Sequence, residues 1–138
     1  MQASTSSLPE AQFLEMILSE QASAHGPLYG LNALQIMGKA AFVCATRHAR
    51  GPVVMAKADC IEFFRPVPQG SIIAIRAHIA FQGQSSMTVI VEIAPEDCTG
   101  KDATPAITGR FMMIAVDDKG HPVPVPVSDQ PAKEELHP

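Results

Sequence analysis

Charged side chains are scarce in this chain of 138 residues: Asp, Glu, Lys and Arg make up 17%, against 46% hydrophobic residues. Such a balance is globular, and the thin surface charge points to a face buried against another subunit. Neither sign dominates. A formal net charge of −4 gives no basic footprint for nucleic acid, although a locally basic pocket for a small phosphorylated ligand remains compatible with it. Apolar runs long enough to cross a membrane are also missing. The cysteines, Cys44, Cys60 and Cys98, are odd in number and lack metal-type spacing, which argues for reduced structural thiols rather than a disulfide framework or metal centre. The opening stretch MQASTSSLPEAQ has neither the basic and apolar regions of a secretory signal nor the arginines of a transit peptide. No internal repeat is visible. The expectation is a soluble, cytoplasmic, single-domain protein without metal or cofactor, spanning 11–127 between flexible ends at 1–10 and 128–138.

What is present is one long helix among strands. Tyr29 to Arg50 contains no proline, and Gly51-Pro52 ends it. At about 100° per residue, Leu31, Leu34, Met37, Ala41, Cys44, Ala45 and His48 share one face and are the expected core stripe. Gly38 stands out, because an interior glycine costs about 1 kcal/mol against alanine. After Pro52 the period changes to that of strands. Val53–Phe64 places Val54, Ala56, Ala58 and Cys60 on one face, and Lys57 and Asp59 on the other. Ser71–Phe81 alternates from Ile73 through Phe81, Ser86–Ile93 follows a hairpin-type link at Gln82-Gly83-Gln84, and Ala106–Asp117 is the last long strand. Phe13–Ser19 is a shorter strand. The tail HPVPVPV lacks an N–H at every second residue and reads as an edge or polyproline segment. Together these predict an α+β fold, with one helix lying on a curved antiparallel sheet of consecutive strands.

Four stretches then resemble the acyl-CoA thioester hydrolase branch of the hotdog-fold superfamily. They are HGPLYGxxxLQIM from His25, RHARGPVVMAKADCIEFFRPVPQGS from Arg47, GQSSMTVIVEI from Gly83 and TGRFMMIAVDDKGHPVPVP from Thr108. The resemblance implies a long central helix wrapped by an antiparallel sheet, with two sheets joined edge to edge in dimers that assemble into tetramers or hexamers. It further implies hydrolysis of an acyl-CoA thioester by water, coenzyme A entering only as part of the substrate. In that family an Asp on the helix is the base or nucleophile, an Asn in the preceding loop places water or substrate, and N–H groups at the helix start polarise the carbonyl.

Carried over by position, the roles fall on altered residues. Ser23 stands at the Asn position, Gly30 and Leu31 at the Gly-Gly of the helix start, and Gly38 at the acid. His25 is a candidate substitute base, its reference pKa of about 6.5 suiting proton transfer near neutrality, or simply a loop histidine. Gln35, one turn before Gly38, can orient water but not accept its proton. Arg65, Ser85 and Ser86 match regions that border the CoA channel in the family, and Lys57 is a candidate contact for a CoA phosphate. Lys57 and Asp59 equally suit a subunit interface. Met112 and Met113 are candidates for either an adaptable acyl pocket or core packing. Two functions therefore stand open: an acyl-CoA hydrolase with a remodelled or weakened site, and a non-catalytic acyl-CoA binder or hetero-oligomer partner. A hotdog dehydratase is a third, disfavoured by the lack of a His-plus-acid pair.

Overall fold

The structure, a computed structural model, describes residues 10–18, 30–96 and 104–126. Its elements are β1 (Glu10–Met16), α1 (Gly30–Ala49), β2 (Val53–Phe63), β3 (Ile72–Gln82), β4 (Ser86–Pro95) and β5 (Ile107–Ala115). The flexible ends expected at 1–10 and 128–138 fall almost wholly outside the described residues.

All strand pairs are antiparallel, in the order β1-β3-β4-β5-β2. Consecutive strands therefore do not all pair as the sequence pattern predicted. The chain leaves β2 at one edge and crosses to the other side of the sheet before β3. Arg65-Pro66-Val67-Pro68 cannot form a tight hairpin, and hydrogen bonds pin each end of the crossing. Phe64 N–H donates to Ala106 at 2.7 Å on the β5 side, and Gly70 N–H donates to Ile17 at 2.7 Å on the β1 side. Val67 is buried midway, anchoring the link.

α1 packs on one face of the sheet and touches all five strands. Arg47 and His48 in its last turn complement the helix dipole. Its buried stripe is Ala33, Met37, Ala40, Ala41, Cys44, Ala45 and Ala49. Leu31 and Leu34 were expected in that stripe but are exposed, at 64% and 37%. Alanines let the helix sit close to the sheet, and the leucines fall on its flank. Facing the helix, Met87, Val89, Val91 and Ile93 of β4 are fully buried, as their alternation predicted.

β2 breaks its alternation. One extra residue is inserted between Met55 and Lys57, and another between Asp59 and Glu62. Each bulge shifts the side-chain parity by one. Partners on β5 show that Val53, Met55, Ala58 and Phe63 face the helix, opposite Ala115, Met113, Phe111 and Ile107. The predicted face of Val54, Ala56, Ala58 and Cys60 is thus split. At the second bulge Cys60 takes φ +54° and is exposed, whereas Cys44 is buried; Cys98 lies outside the described residues. A third bulge, after Ile79, turns Phe81 to the outer face opposite Thr88.

Gly109 accommodates the crowding at the second bulge. A Cβ there would lie 2.7 Å from Ile61 Cδ1 and 2.9 Å from Met37 Cε. At the other end, the valines of the proline-rich tail supply the missing donors. Val123 N–H bonds Ala115 and Val125 N–H bonds Gln84, at 2.9 and 2.7 Å, and Val125 is buried. The tail is thereby strapped to the sheet end.

Candidate active site

The resemblance directs attention to the N-terminal half of α1, and the sheet element beside it is β2. Two helical glycines meet two β2 side chains. A Cβ built on Gly30 would approach Phe63 Cζ at 3.9 Å, and one on Gly38 would approach Met55 Cε at 3.6 Å. Both are ordinary van der Waals distances. Close packing within the protomer therefore does not require glycine at position 38. Around these contacts Leu31, Leu34, Met55, Phe63 and Phe64 are exposed although apolar, on or beside a strand that, among the described residues, is an unpaired sheet edge. An unpaired, apolar edge is what a second sheet can cover.

The methionine that meets Gly38 begins a row of thioethers. Met55 pairs with Met113, and Met113 pairs with Met87, so three methionines form one cross-strand row on the helix-facing side. Met87 and Met113 are fully buried, and Met55 is 37% exposed. Met112, the neighbour of Met113, points to the opposite face; the two do not line one pocket. Sequence reading missed Met55 and Phe63 because strict alternation puts them on the face of Lys57 and Asp59, and the two bulges that send Lys57 and Asp59 to the other side leave no periodic signal.

The other predicted positions separate. Gln35 is exposed on α1 one turn before Gly38. Ser23 and His25 lie outside the described residues. Lys57 is on the outer face of the sheet, away from Gly38. There it borders a cleft of about 170 Å³ with Asp59, Thr88, Arg110 and Met112. Arg110 donates to both carboxylate oxygens of Asp59 at 2.9 and 3.1 Å, and Lys57 Nζ lies 3.6 Å from the same carboxylate. The Arg110 hydrogen bonds hold the Asp59 carboxyl below the usual range, helped by the charges of Arg110 and Lys57 against opposing desolvation. The same bonds keep Arg110 more firmly protonated.

Arg65 hooks the segment before β5: its guanidinium donates to the Thr104 hydroxyl at 3.0 Å, to the Thr104 carbonyl, and to the Pro105 carbonyl at 3.3 Å. Ser85 and Ser86 form the β3–β4 turn, where Gly83 N–H donates to the Ser86 carbonyl and Ala115 N–H to that of Ser85, both at 2.9 Å. Their row continues through Ile114 to Val54, beside Met55. His48, expected to be structural, bonds Gln82 Oε1 through Nε2 at 2.7 Å.

A second cleft, of about 160 Å³, lies between β1 and the helix, lined by Phe13, Glu15, Ile36, Lys39, Ala40 and Ile75 among others. It is across the helix from Gly38. Among the described residues no three His, Cys, Asp or Glu side chains are arranged to hold a metal ion, and no helix is long and apolar enough to cross a membrane.

The family model of the thioesterase superfamily matches residues 13–100, a span that runs from β1 past β4 and contains the helix and both glycine contacts. The chain belongs to the thioesterase superfamily. An uncharacterised acyl-CoA thioester hydrolase of Bacillus subtilis is 30% identical over 112 residues, covering 81% of this chain and 65% of that protein. A second uncharacterised acyl-CoA thioester hydrolase, from Zymomonas mobilis, is 32% identical over 75% of this chain and 70% of its own length. Among solved structures, an acyl-CoA hydrolase from Staphylococcus aureus in complex with butyryl coenzyme A superposes with a TM-score of 0.82 at 27% identity, over 87% of this chain and 73% of that one. A hexameric thioesterase from Yersinia pestis gives 0.76 at 25% identity, over 87% and 95%. This chain spans slightly under two thirds of the Bacillus relative. The hotdog fold is shared with these structures.

Proposed function

We propose that this superfamily member acts on acyl-CoA thioesters, releasing coenzyme A and a carboxylic acid by attack of water, in a site that two subunits share. The observation that carries this is the junction of α1 with the edge strand β2. It joins a helix N-terminus able to polarise a carbonyl to an apolar, unpaired edge suited to a second copy, in a chain whose relatives are acyl-CoA hydrolases. Gly30 and Leu31 supply that helix start. Self-association goes at least to dimers through β2, with a higher assembly such as the hexamer of the Yersinia relative. A cytosolic acyl-CoA thioester hydrolase among the relatives favours the cytoplasm. Coenzyme A enters as substrate.

One observation favours a second function, acyl-CoA binding without turnover or service as a partner in a mixed oligomer. Gly38, at the position of the family's acid, brings no carboxylate, and its neighbour across the junction is a thioether. Placement of the attacking water then rests on Ser23, His25 or Gln35, or fails. Free-thiol release from a panel of acyl-CoAs, measured beside equilibrium binding and with Gly38→Asp, separates the two. A weakened hydrolase turns over well below the usual enzyme median of about 10 s⁻¹, and Gly38→Asp raises the rate at least ~100-fold. Binding with no thiol release selects the binder. Wild-type turnover at ordinary rates removes the weakened site, and absence of both binding and release removes acyl-CoA as the ligand.

A further inference from the structure

We propose that Met55 is a displaceable plug that sets which acyl groups enter beside Gly38, admitting extended apolar groups and rejecting charged ones. This rests on the acyl-CoA function proposed above. Four features of the junction converge. The terminal methyl of Met55 covers the place that a side chain at position 38 would take, at ordinary contact distance. Met55 lies on the edge strand and keeps 37% of its surface exposed, so nothing within the protomer locks its outer side. Its cross-strand neighbour is Met113, which is in turn the neighbour of Met87 in one row. Finally, the bulge immediately after Met55 relieves the strand of regular pairing where the side chain must move.

Methionine is suited to this movement. It is unbranched, has three rotatable side-chain bonds and a polarisable sulfur, and fills irregular space without a fixed shape. Swinging Met55 aside exposes the helix backbone at Gly38 and a wall of thioether, with no hydrogen-bond donor or charge from the methionine row. An alkyl chain gains there by apolar burial. An acyl group ending in a carboxylate would be desolvated without a partner. Glycine at 38 is the complementary half, since a larger side chain would occupy the space that the plug vacates.

The test is an acyl-chain profile of the full-length protein and of Met55→Ala and Met55→Leu. Each is read as kcat/KM for thiol release and as equilibrium affinity for acetyl-, butyryl-, octanoyl- and malonyl-CoA and for CoA alone. Met55→Ala removes three side-chain heavy atoms. Preference for octanoyl over acetyl should rise roughly fourfold per methylene newly accommodated, to about 60-fold for three, with CoA affinity unchanged. Met55→Leu keeps the bulk but stiffens it, and should depress octanoyl more than acetyl. Far-UV circular dichroism and oligomer size verify that both variants fold. The plug is overturned if Met55→Ala changes every acyl-CoA by one common factor or changes none, or if malonyl-CoA is the best wild-type ligand. Failure of the wild type to bind or cleave any acyl-CoA overturns the acyl-CoA function and the plug together, and is thereby distinct from an unmoved profile.

Discussion

Gly38 and Gly109 should respond to alanine with opposite signs, and the contrast tests whether position 38 is held by packing. At Gly38 the new methyl would meet Met55 Cε at 3.6 Å, an ordinary contact, inside a helix where glycine is worse than alanine by about 1 kcal/mol. Gly38→Ala is expected to stabilise by about that amount. At Gly109 the same methyl would lie 2.7 Å from Ile61 Cδ1, 2.9 Å from Met37 Cε and 3.1 Å from Phe111 Cε1. Met37 is fully buried and Phe111 nearly so, so neither yields freely. Overpacking of this kind costs about 1–3 kcal/mol, and the reduced entropy of the unfolded chain returns only about 0.4–1. Gly109→Ala should therefore destabilise by roughly 1–2 kcal/mol. In urea, with m about 2 kcal/mol/M for a chain of this size, the midpoints should move by about +0.5 M and −0.5 to −1 M. Equal protomer concentrations are needed, because association adds stability by mass action. A fall in midpoint for Gly38→Ala would refute the reasoning, since it would mean that a group from beyond the protomer fills the space beside the helix.

Two further predictions concern the outer face and the tail. Asp59 should titrate below the carboxylate reference of about 3.9, and Arg110→Gln should move its midpoint upward, as side-chain carbon shifts would report. Because its folded-state pKa is depressed, the stabilisation linked to Asp59 is present above the unfolded pKa and lost as pH falls through the folded one. An unshifted midpoint in Arg110→Gln would show that the bidentate pair is absent in solution. Gln82 receives a hydrogen bond from His48 and donates to the Pro126 carbonyl at 3.4 Å, joining the helix C-terminus to the strapped tail. Gln82→Ala should lower stability by about 1 kcal/mol, a few degrees in Tm, and hasten exchange of the Val125 amide bonded to Gln84. An unchanged Val125 exchange rate would mean that the tail is held by its backbone bonds alone.

The helix and the strands of this fold were legible because each carries a local signal: a proline-free run closed by Gly51-Pro52, and clean alternation in β4. Strand order was not. The β2–β5 pairing joins residues about fifty positions apart, and the Arg110–Asp59 contact that marks it is invisible to any short window. Face assignment failed for a different reason. A bulge adds one residue to one strand without changing its composition, so Ala56 and Cys60 look like ordinary strand residues while reversing the parity of their C-terminal neighbours. The helix misled through side-chain size: Leu31 and Leu34 outrank alanine in hydrophobicity, yet Ala33 and Ala40 are the ones buried, because close approach to the sheet favours small residues. Of the candidate site, position 38 stood out by its oddity and by family likeness. Met55, its neighbour, could not be found without the bulge count.

That bulge count also links architecture to chemistry. Without the insertion between Met55 and Lys57, strict alternation from Met55 would put Lys57 on the helix side and make it a charge available to the site. With it, Lys57 joins Asp59 and Arg110 outside, and the inner row is apolar from Met55 to Met87. An acid introduced at Gly38 would consequently stand against a thioether rather than a cation. Partial desolvation would raise its pKa, favouring a base that titrates closer to neutrality. The rate of Gly38→Asp should thus increase with pH through a midpoint above about 3.9, and adding Met55→Ala should bring that midpoint down as water reaches the carboxylate. A midpoint indifferent to Met55 would separate the two residues in function, however close they stand in the fold.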